Sequence, residues 1–550
     1  MHQNPALSTT LSYQALTETL QQLTAAHPRF LELISVGQSR EGRTIWAVAV
    51  GDRTSHAGAQ GGSSQRDERP ALYVDGNIHA VELTGSTACL RLLFDLVERT
   101  QTEEGQQHLQ AVTYYILPRI SPDGAEHFLN TGEFLRSVPM LYPHQEWPEG
   151  LSMKDLDGDK AVRQMRWPDP DGDYRVSKED PRVMVRRSFT DVEGPFYRVL
   201  VEGLLHQFDG KVVKRAPAPF GADYNRSFPN AWKQDNEQSG AGPMPLAHPE
   251  TRALAEFILA HPNIGLFLAL HTGIEVLIPP EGAKPFSEFP EEDRVLHHRL
   301  GQPGAEILKM PMESLFPVDY GKVHGDFGEW LYAHLGIPGF VAELWCPAAR
   351  AGISLKDYLH GRMGFKEAEP ADLATAKWYD SQGITGELTE WKPFEHPQLG
   401  SVELGGWRQG HASQAPDGPV LEEIGGRVSQ YAQLLARALP RVYVRTLEAQ
   451  KLGEGLYQVD AVVWNGGFLP SHLTRSALSK RVARPVQLRL SGPEALEVVS
   501  GQAKQELGHL DGYGDHALAH WIVKAEAGTV VKLHLDAHRA GQRQYQLLLG

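Results

Sequence analysis

Cysteine is scarce in this chain: among 550 residues only Cys89 and Cys346 occur. Two thiols cannot build a disulfide scaffold. The fold must therefore rest on a hydrophobic core, with both thiols expected unpaired and mostly buried. No run of about 18 apolar residues occurs, which excludes a membrane-spanning helix and leaves no expected membrane partner. The start, Met1-His-Gln-Asn-Pro-Ala-Leu7, lacks the basic and apolar segments of a secretory leader, so the expected compartment is the cytoplasm. Positive charge is in deficit too: 53 Lys and Arg face 68 Asp and Glu, a net charge of −15. Such a balance argues against broad nucleic-acid binding, which needs a basic footprint. Internal repeats and extended low-complexity tracts are absent as well.

What is present is a globular composition, 41% hydrophobic and 22% charged. At roughly 100–200 residues per domain, the length predicts two to three domains. Over most of the chain strand-like and helix-like patterns alternate, which points to α/β architecture. An amphipathic helix is predicted over residues 11–34, from Leu16, Leu20, Leu23 and Leu31. The stretch Arg40–Val50 reads as a turn into a strand, and 52–69 as a Gly- and Ser-rich surface loop. Further strands are expected at Ala71–Ile78, Val112–Leu117, Ile264–Leu270 and Gly339–Trp345. Helices are expected at Leu83–Val97, His248–Leu259, Asp326–Leu335, Ala371–Tyr379 and about 427–439.

Two stretches break the alternation. Residues 137–220, rich in Pro, Asp and Gly, read as an irregular insertion that walls or covers a cleft. Within it, Asp155-Leu-Asp157-Gly-Asp159 resembles the start of a calcium loop. The later bidentate Glu is missing, so solvated turns are the reading. Residues 386–440 read as an irregular linker and a helix. From Val442 onward short alternating strands with turn signals predict a small β-sandwich over 441–550.

Chemistry-bearing residues gather at predicted strand ends. In Ala71-Leu-Tyr-Val-Asp-Gly-Asn-Ile-His79-Ala-Val-Glu82, a strand hands over to a helix, and ligands of open α/β sheets sit at that edge. An imidazole and a carboxylate three residues apart can converge on one metal ion. The bland alternative is a helix N-terminus that favours a carboxylate. His271 ends a buried strand and offers a third ligand, leaving a zinc coordination position open for water; otherwise it is a satisfied core-edge histidine. Glu343 interrupts an apolar strand, where an unpaired carboxylate is costly, so it is either ion-paired or a general base. Arg136 and Asn225-Arg226 offer donors for a carboxylate or an oxyanion, unless they make ordinary ion pairs.

Taken together, these residues resemble the zinc metallocarboxypeptidases, the carboxypeptidase A-like peptidase family M14. The matching pieces stand in family order: Gly37-Gln-Ser-Arg-Glu-Gly-Arg43, His79-Ala-Val-Glu82, Ser121-Pro-Asp123-Gly124, Arg136, Gly221-Ala-Asp-Tyr-Asn225-Arg226, His271-Thr and Glu343-Leu. The resemblance covers roughly residues 10–380. It implies a mixed-sheet α/β catalytic domain with helices on both faces over 1–385, besides the β-sandwich-like C-terminal domain. It further implies one Zn2+ held by His79, Glu82 and His271, with Glu343 as general base and later proton donor. By the same resemblance Arg136 polarises the scissile carbonyl, Asn225 and Arg226 grip the substrate's C-terminal carboxylate, and Tyr320 is the candidate mobile tyrosine. The implied partner is a peptide or peptide-like substrate with a free C-terminus. Departures are Val81 where the family often has Arg, Ser121 where Asn is usual, and the long 137–220 insertion. Two rivals stay open: a zinc amidohydrolase or deacylase acting on an N-acyl amino acid or cell-wall peptide, and a binding protein with an inactive hydrolase domain.

Overall fold

The structure is a computed structural model that describes residues 5–53, 69–315, 322–362 and 367–550. A seven-stranded mixed sheet forms its centre, from β1 (Leu31–Gln38), β2 (Thr44–Val50), β3 (Ala71–Gly76), β4 (Thr113–Leu117), β5 (Ile264–His271), β6 (Glu275–Ile278) and β7 (Gly339–Leu344). The strand order is β1-β2-β4-β3-β5-β7-β6. The four central strands, β4, β3, β5 and β7, run parallel, and antiparallel strands flank them. The parallel strands are buried along almost their whole length, which is why they read as near-continuous apolar runs.

Period-two alternation assigns the two faces. Leu72, Val74, Leu266, Leu268, Leu270, Phe340 and Ala342 pack into one core with α1 (Tyr13–Ala26), α2 (Thr84–Arg99) and a late helix, Pro419–Ala438. Tyr73, Phe267 and Ala269 pack on the opposite face with Pro249–Ala260 and Phe327–Leu335. The expected mixed α/β domain with helices on both faces is therefore what the chain forms. At the crossover from β3 to α2, a Cβ on Gly76 would meet the Gly85 carbonyl carbon at 2.7 Å. Backbone contact at that point brings the helix start onto the sheet edge.

Four expectations are corrected. The first helix does not reach residue 34: it ends at Ala26, and Leu31–Gln38 is β1, paired with β2. His27-Pro28 accounts for this, since a residue preceding proline is driven out of the α region. The stretch 137–220 is not irregular. It holds six short strands: Gly150–Met153 pairs with Gly203–His206, and the other four enter a second, six-stranded sheet. Nor are residues 386–420 irregular, because Leu388–His396 and Gly400–Trp407 complete that same sheet, Gly400–Trp407 pairing with Gln164–Pro168. The last helix also starts earlier than expected, at Pro419. The expected loop over 52–69 falls mostly outside the described residues. From Val442 two four-stranded antiparallel sheets enclose one apolar core around Trp521, Val459, Leu488 and Leu533, the all-β C-terminal part that the alternation foretold.

A candidate metal and peptide site

Strand register assembles the site. His271 and Glu343 are direct partners across the parallel β5–β7 pair, so their side chains leave the same face at the same level. Leu270 pairs with Gly76 across β5–β3, which brings the turn after β3 beside His271. Asn77 adopts a left-handed conformation (φ 63°), and its Nδ2 donates to the carbonyls of His79 and Ala80, each at 2.9 Å. Ser121 Oγ and Ser137 Oγ both donate to the Ile78 carbonyl, at 2.7 and 3.1 Å. The ligand-bearing turn is thus braced from three sides before any ion arrives. Asp123 accepts from Ser39 Oγ, from the Glu41 amide and from Arg43 Nη1, so it ties the 37–43 segment to this edge.

His79, Glu82 and His271 are all buried, and one ligand atom from each lies within 4.8 Å of the others. Glu82 stands between the imidazoles: His79 Nδ1 is 2.8 Å from Oε1 and His271 Nδ1 is 3.1 Å from Oε2. Burial opposes ionisation of Glu82, but the two imidazoles outweigh it and hold its carboxyl well below the usual range. The far nitrogen of His79, Nε2, meets Asp223 Oδ1 at 3.2 Å. Two nitrogens and a carboxylate converging on one point, with a second carboxylate behind an imidazole, suit a zinc ion.

The other candidates line the same cavity of about 370 Å³: Arg136, Asn225, Arg226 and Glu343 all face it. Arg136 Nε donates to Asp223 Oδ2 at 3.0 Å, and its Nη1 lies 3.4 Å from Glu82 Oε1. Glu343 Oε2 is buried without a hydrogen-bond partner. Burial, with the Glu82 charge added, pushes the Glu343 carboxyl well above its usual range, and Arg136 pulls it partly back. Asn225 departs from its expected part. Its Nδ2 donates to Asp326 Oδ2 at 2.7 Å and its Oδ1 accepts from the Phe327 amide at 2.9 Å, so its amide serves the start of the Phe327–Leu335 helix. Arg226 Nη1 donates to the Asn225 carbonyl. Tyr320 lies outside the described residues.

Two site residues escaped the sequence reading. Asp223 lay inside the quoted Gly221–Arg226 motif without a role; it joins His79 to Arg136. Burial disfavours its charge, yet Arg136, Arg226 and His79 bring its carboxyl well below the ordinary value. Asp326 caps its helix, with Oδ1 accepting from the Glu329 amide at 2.8 Å, and the sequence signal was an Asp three residues before a Glu at a helix start. The Asp155–Asp159 turn closes on its own backbone amides and on Arg163, as a solvated turn does.

A His-x-x-Glu turn, a third ligand on the neighbouring strand and a carboxylate one strand further define a metallopeptidase type of site. The family model for zinc carboxypeptidases, Peptidase M14, matches residues 16–359, and the chain belongs to that family. A model of a domain of unknown function, DUF8731, matches residues 441–547. Similar proteins include a zinc carboxypeptidase of Saccharothrix mutabilis subsp. capreolus, 27% identical over 124 residues, which are 22% of this chain and 26% of that protein. A metallocarboxypeptidase A-like protein of Trichophyton verrucosum is 21% identical over 347 residues, 60% of this chain and 62% of the relative. The carboxypeptidase A structure from Helicoverpa armigera is 16% identical, covering 69% of this chain and 77% of that one, at a TM-score of 0.39. The matches thus span about a quarter of the Saccharothrix protein and under two thirds of the Trichophyton one.

Proposed function

We propose that the chain is a one-zinc carboxypeptidase that hydrolyses the C-terminal peptide bond of a peptide. The observation that carries this reading is the convergence of His79 Nδ1 and His271 Nδ1 on the Glu82 carboxylate, with Glu343 in register beside His271. His79, Glu82 and His271 would hold the ion. When bound, zinc supplies Lewis acidity toward a carbonyl and lowers the pKa of a water.

The remaining work falls to the chain's own side chains. Glu343 accepts the proton of the attacking water at its carboxylate and returns it to the amine that leaves. A cation beside Glu82 would offset the Glu82 charge that adds to burial in holding the Glu343 carboxyl high, which favours the ionised form the base needs. Arg136, already fixed by Asp223, stabilises the oxygen that becomes negative. Arg226 holds the C-terminal carboxylate of the substrate, and that anchor orients the bond before chemistry.

Replacing Glu343 with Gln tests the assignment. Zinc content, measured by atomic absorption, should stay at one ion per chain, while turnover of blocked dipeptides should fall by about 10²–10⁴-fold. Loss of zinc on that change would make Glu343 a ligand and end the mechanism.

One observation favours a second reading. The Asn225 amide is engaged by Asp326 and the Phe327 backbone, which leaves Arg226 as the fixed cation for a C-terminal carboxylate. A zinc amidohydrolase acting on another amide would not need Asn225 free. Arg226→Ala separates the two. For the carboxypeptidase, hydrolysis of peptides with a free C-terminus should drop at least about tenfold more than hydrolysis of amidated ones, as expected on losing a charged hydrogen bond. Equal losses would favour the amidohydrolase.

A further inference from the structure

A second cavity, of about 400 Å³, adjoins the first and is walled largely by the inserted stretch 137–220. Phe134 lines both cavities. The stretch 133–136 runs from one to the other, with Glu133 on the second and Arg136 on the first. The loop after Trp407 does the same from the opposite side: Gln409 borders the second cavity and Ser413 the first. That loop is pinned at both ends of its span, by the Gln409 amide on the Val162 carbonyl and by Thr272 Oγ1 on the Ser413 carbonyl. The two cavities share Phe134 as a wall and are bordered by the same two stretches of chain.

The lining of the second cavity combines apolar side chains with polar ones, among them Gln164, Arg215 and Gln409. Trp147 stacks on His206 with ring centroids 4.9 Å apart and meets Phe220 edge-on at 5.8 Å. Even so, Trp147 is 41% exposed, a large apolar ring held in place and left open to solvent. Leu151, Val199 and Pro219 extend the wall. Glu133 is paired with Lys154 at 3.1 Å. Ser152 also lines the cavity. It is 5% exposed, and its Oγ is buried with no hydrogen-bond partner. A buried hydroxyl left unpaired is costly. Volume and lining match sites that take one large apolar group with a few placed polar atoms.

We propose that this second cavity is an upstream substrate subsite. It takes an aromatic or large aliphatic side chain of a peptide, a few residues before the bond that is cut, with Trp147 and Phe220 as the walls that select it. The occupant follows from continuity: a peptide anchored by its C-terminus at Arg226 and cut beside Glu343 extends past Arg136 and Phe134 into this space. The proposal rests on the carboxypeptidase reading. It makes peptides with an apolar residue near the C-terminus the preferred substrate class.

The test compares N-blocked dipeptides with five-residue peptides that share their C-terminal residue, carrying Phe in turn at the second, third and fourth positions from the end. The wild-type zinc enzyme should show a ratio of kcat/KM, long over short, of about tenfold or more at one of these positions, the size expected for burying an aromatic ring. Trp147→Ala should bring the ratio toward one. So should Ala218→Trp, which fills the cavity from its exposed rim, so a folding defect at one position cannot mimic the result. Binding of the best peptide to the Glu343→Gln protein, followed by calorimetry, should weaken in parallel when Trp147→Ala is added. Cleavage with no length preference, or a preference indifferent to both changes, overturns the subsite and leaves the carboxypeptidase reading intact. Trp147-dependent binding without cleavage by the wild type overturns the reading and keeps the cavity as a peptide site. Neither binding nor cleavage overturns both.

Discussion

Asp223 holds the imidazole of His79 from behind and the guanidinium of Arg136 from the side. It therefore orients the candidate ligand His79 and the Arg136 guanidinium at once. Partners of this kind fix the tautomer and orientation of a ligating histidine, and losing them typically lowers metal affinity by about 10–100-fold. Asp223→Asn keeps the size and removes the charge. Zinc affinity, measured by competition with a chromogenic chelator, should fall within that range, with the protein still folded by circular dichroism. Unchanged affinity would leave Asp223 as a partner of Arg136 alone. His79, Glu82, His271 and Glu343 were legible because each is a costly polar residue at the end of, or inside, an apolar run. Asp223 was not, because an Asp in a polar loop is ordinary until the fold brings an imidazole to it. The changed part of Asn225 was equally hidden: its partner Asp326 lies 101 residues away in sequence.

At the scale of elements, the inserted sheet decides the shape of the cleft. Four of its strands are only three to five residues long, and the loops between them are rich in Pro, Asp and Gly, so no window there carries enough alternation to announce them. Two of its six strands come from Leu388–Trp407, more than 180 residues after the others, and pairing at that range leaves no local trace. Inside it, Glu202 is almost fully buried and receives the Leu156 and Arg163 amides at 2.6 and 2.8 Å. Burial raises its pKa to about 7, against an ordinary 4.5. The folded state thus binds this proton more tightly than the unfolded one. Its contribution to stability is complete below about pH 4.5 and is lost as pH rises through about 7. Glu202→Gln removes that dependence. The melting temperature of the wild type relative to the variant should decline between pH 5 and pH 8, with at most about 3 kcal/mol involved. A difference that stays flat across this window would mean that Glu202 titrates normally.

At the scale of the molecule, the C-terminal sheets are fastened to the catalytic part by buried charges. Asp293, on the helix Glu291–Leu308, accepts from the Arg475 and Ser476 amides at 2.6 and 3.0 Å, and from Tyr332 Oη at 2.7 Å. Arg539 reaches from the β part to the carbonyls of Ile264 and Leu335, each at 3.0 Å. Asp293→Ala should cost roughly 1–3 kcal/mol by leaving buried donors unsatisfied. Calorimetry should then show the C-terminal part melting ahead of the rest, and limited proteolysis should cut first near residue 440. A single unshifted transition would place the coupling elsewhere.

The sequence by itself determined the α/β and all-β parts, the buried His79-Glu82-His271 triad as candidate ligands, and the family. Those depend on local periodicity, on apolar strands interrupted by costly polar residues, and on motif order, all of which can be read within a few residues. The tertiary structure decided what surrounds the candidate site: the sheet completed from two distant segments, the engagement of Asn225 by Asp326, the bracing of His79 by Asp223, and the second cavity that Phe134 borders. Each of these is a contact between residues far apart in the chain, set by strand register and loop packing, and no single stretch contains both partners.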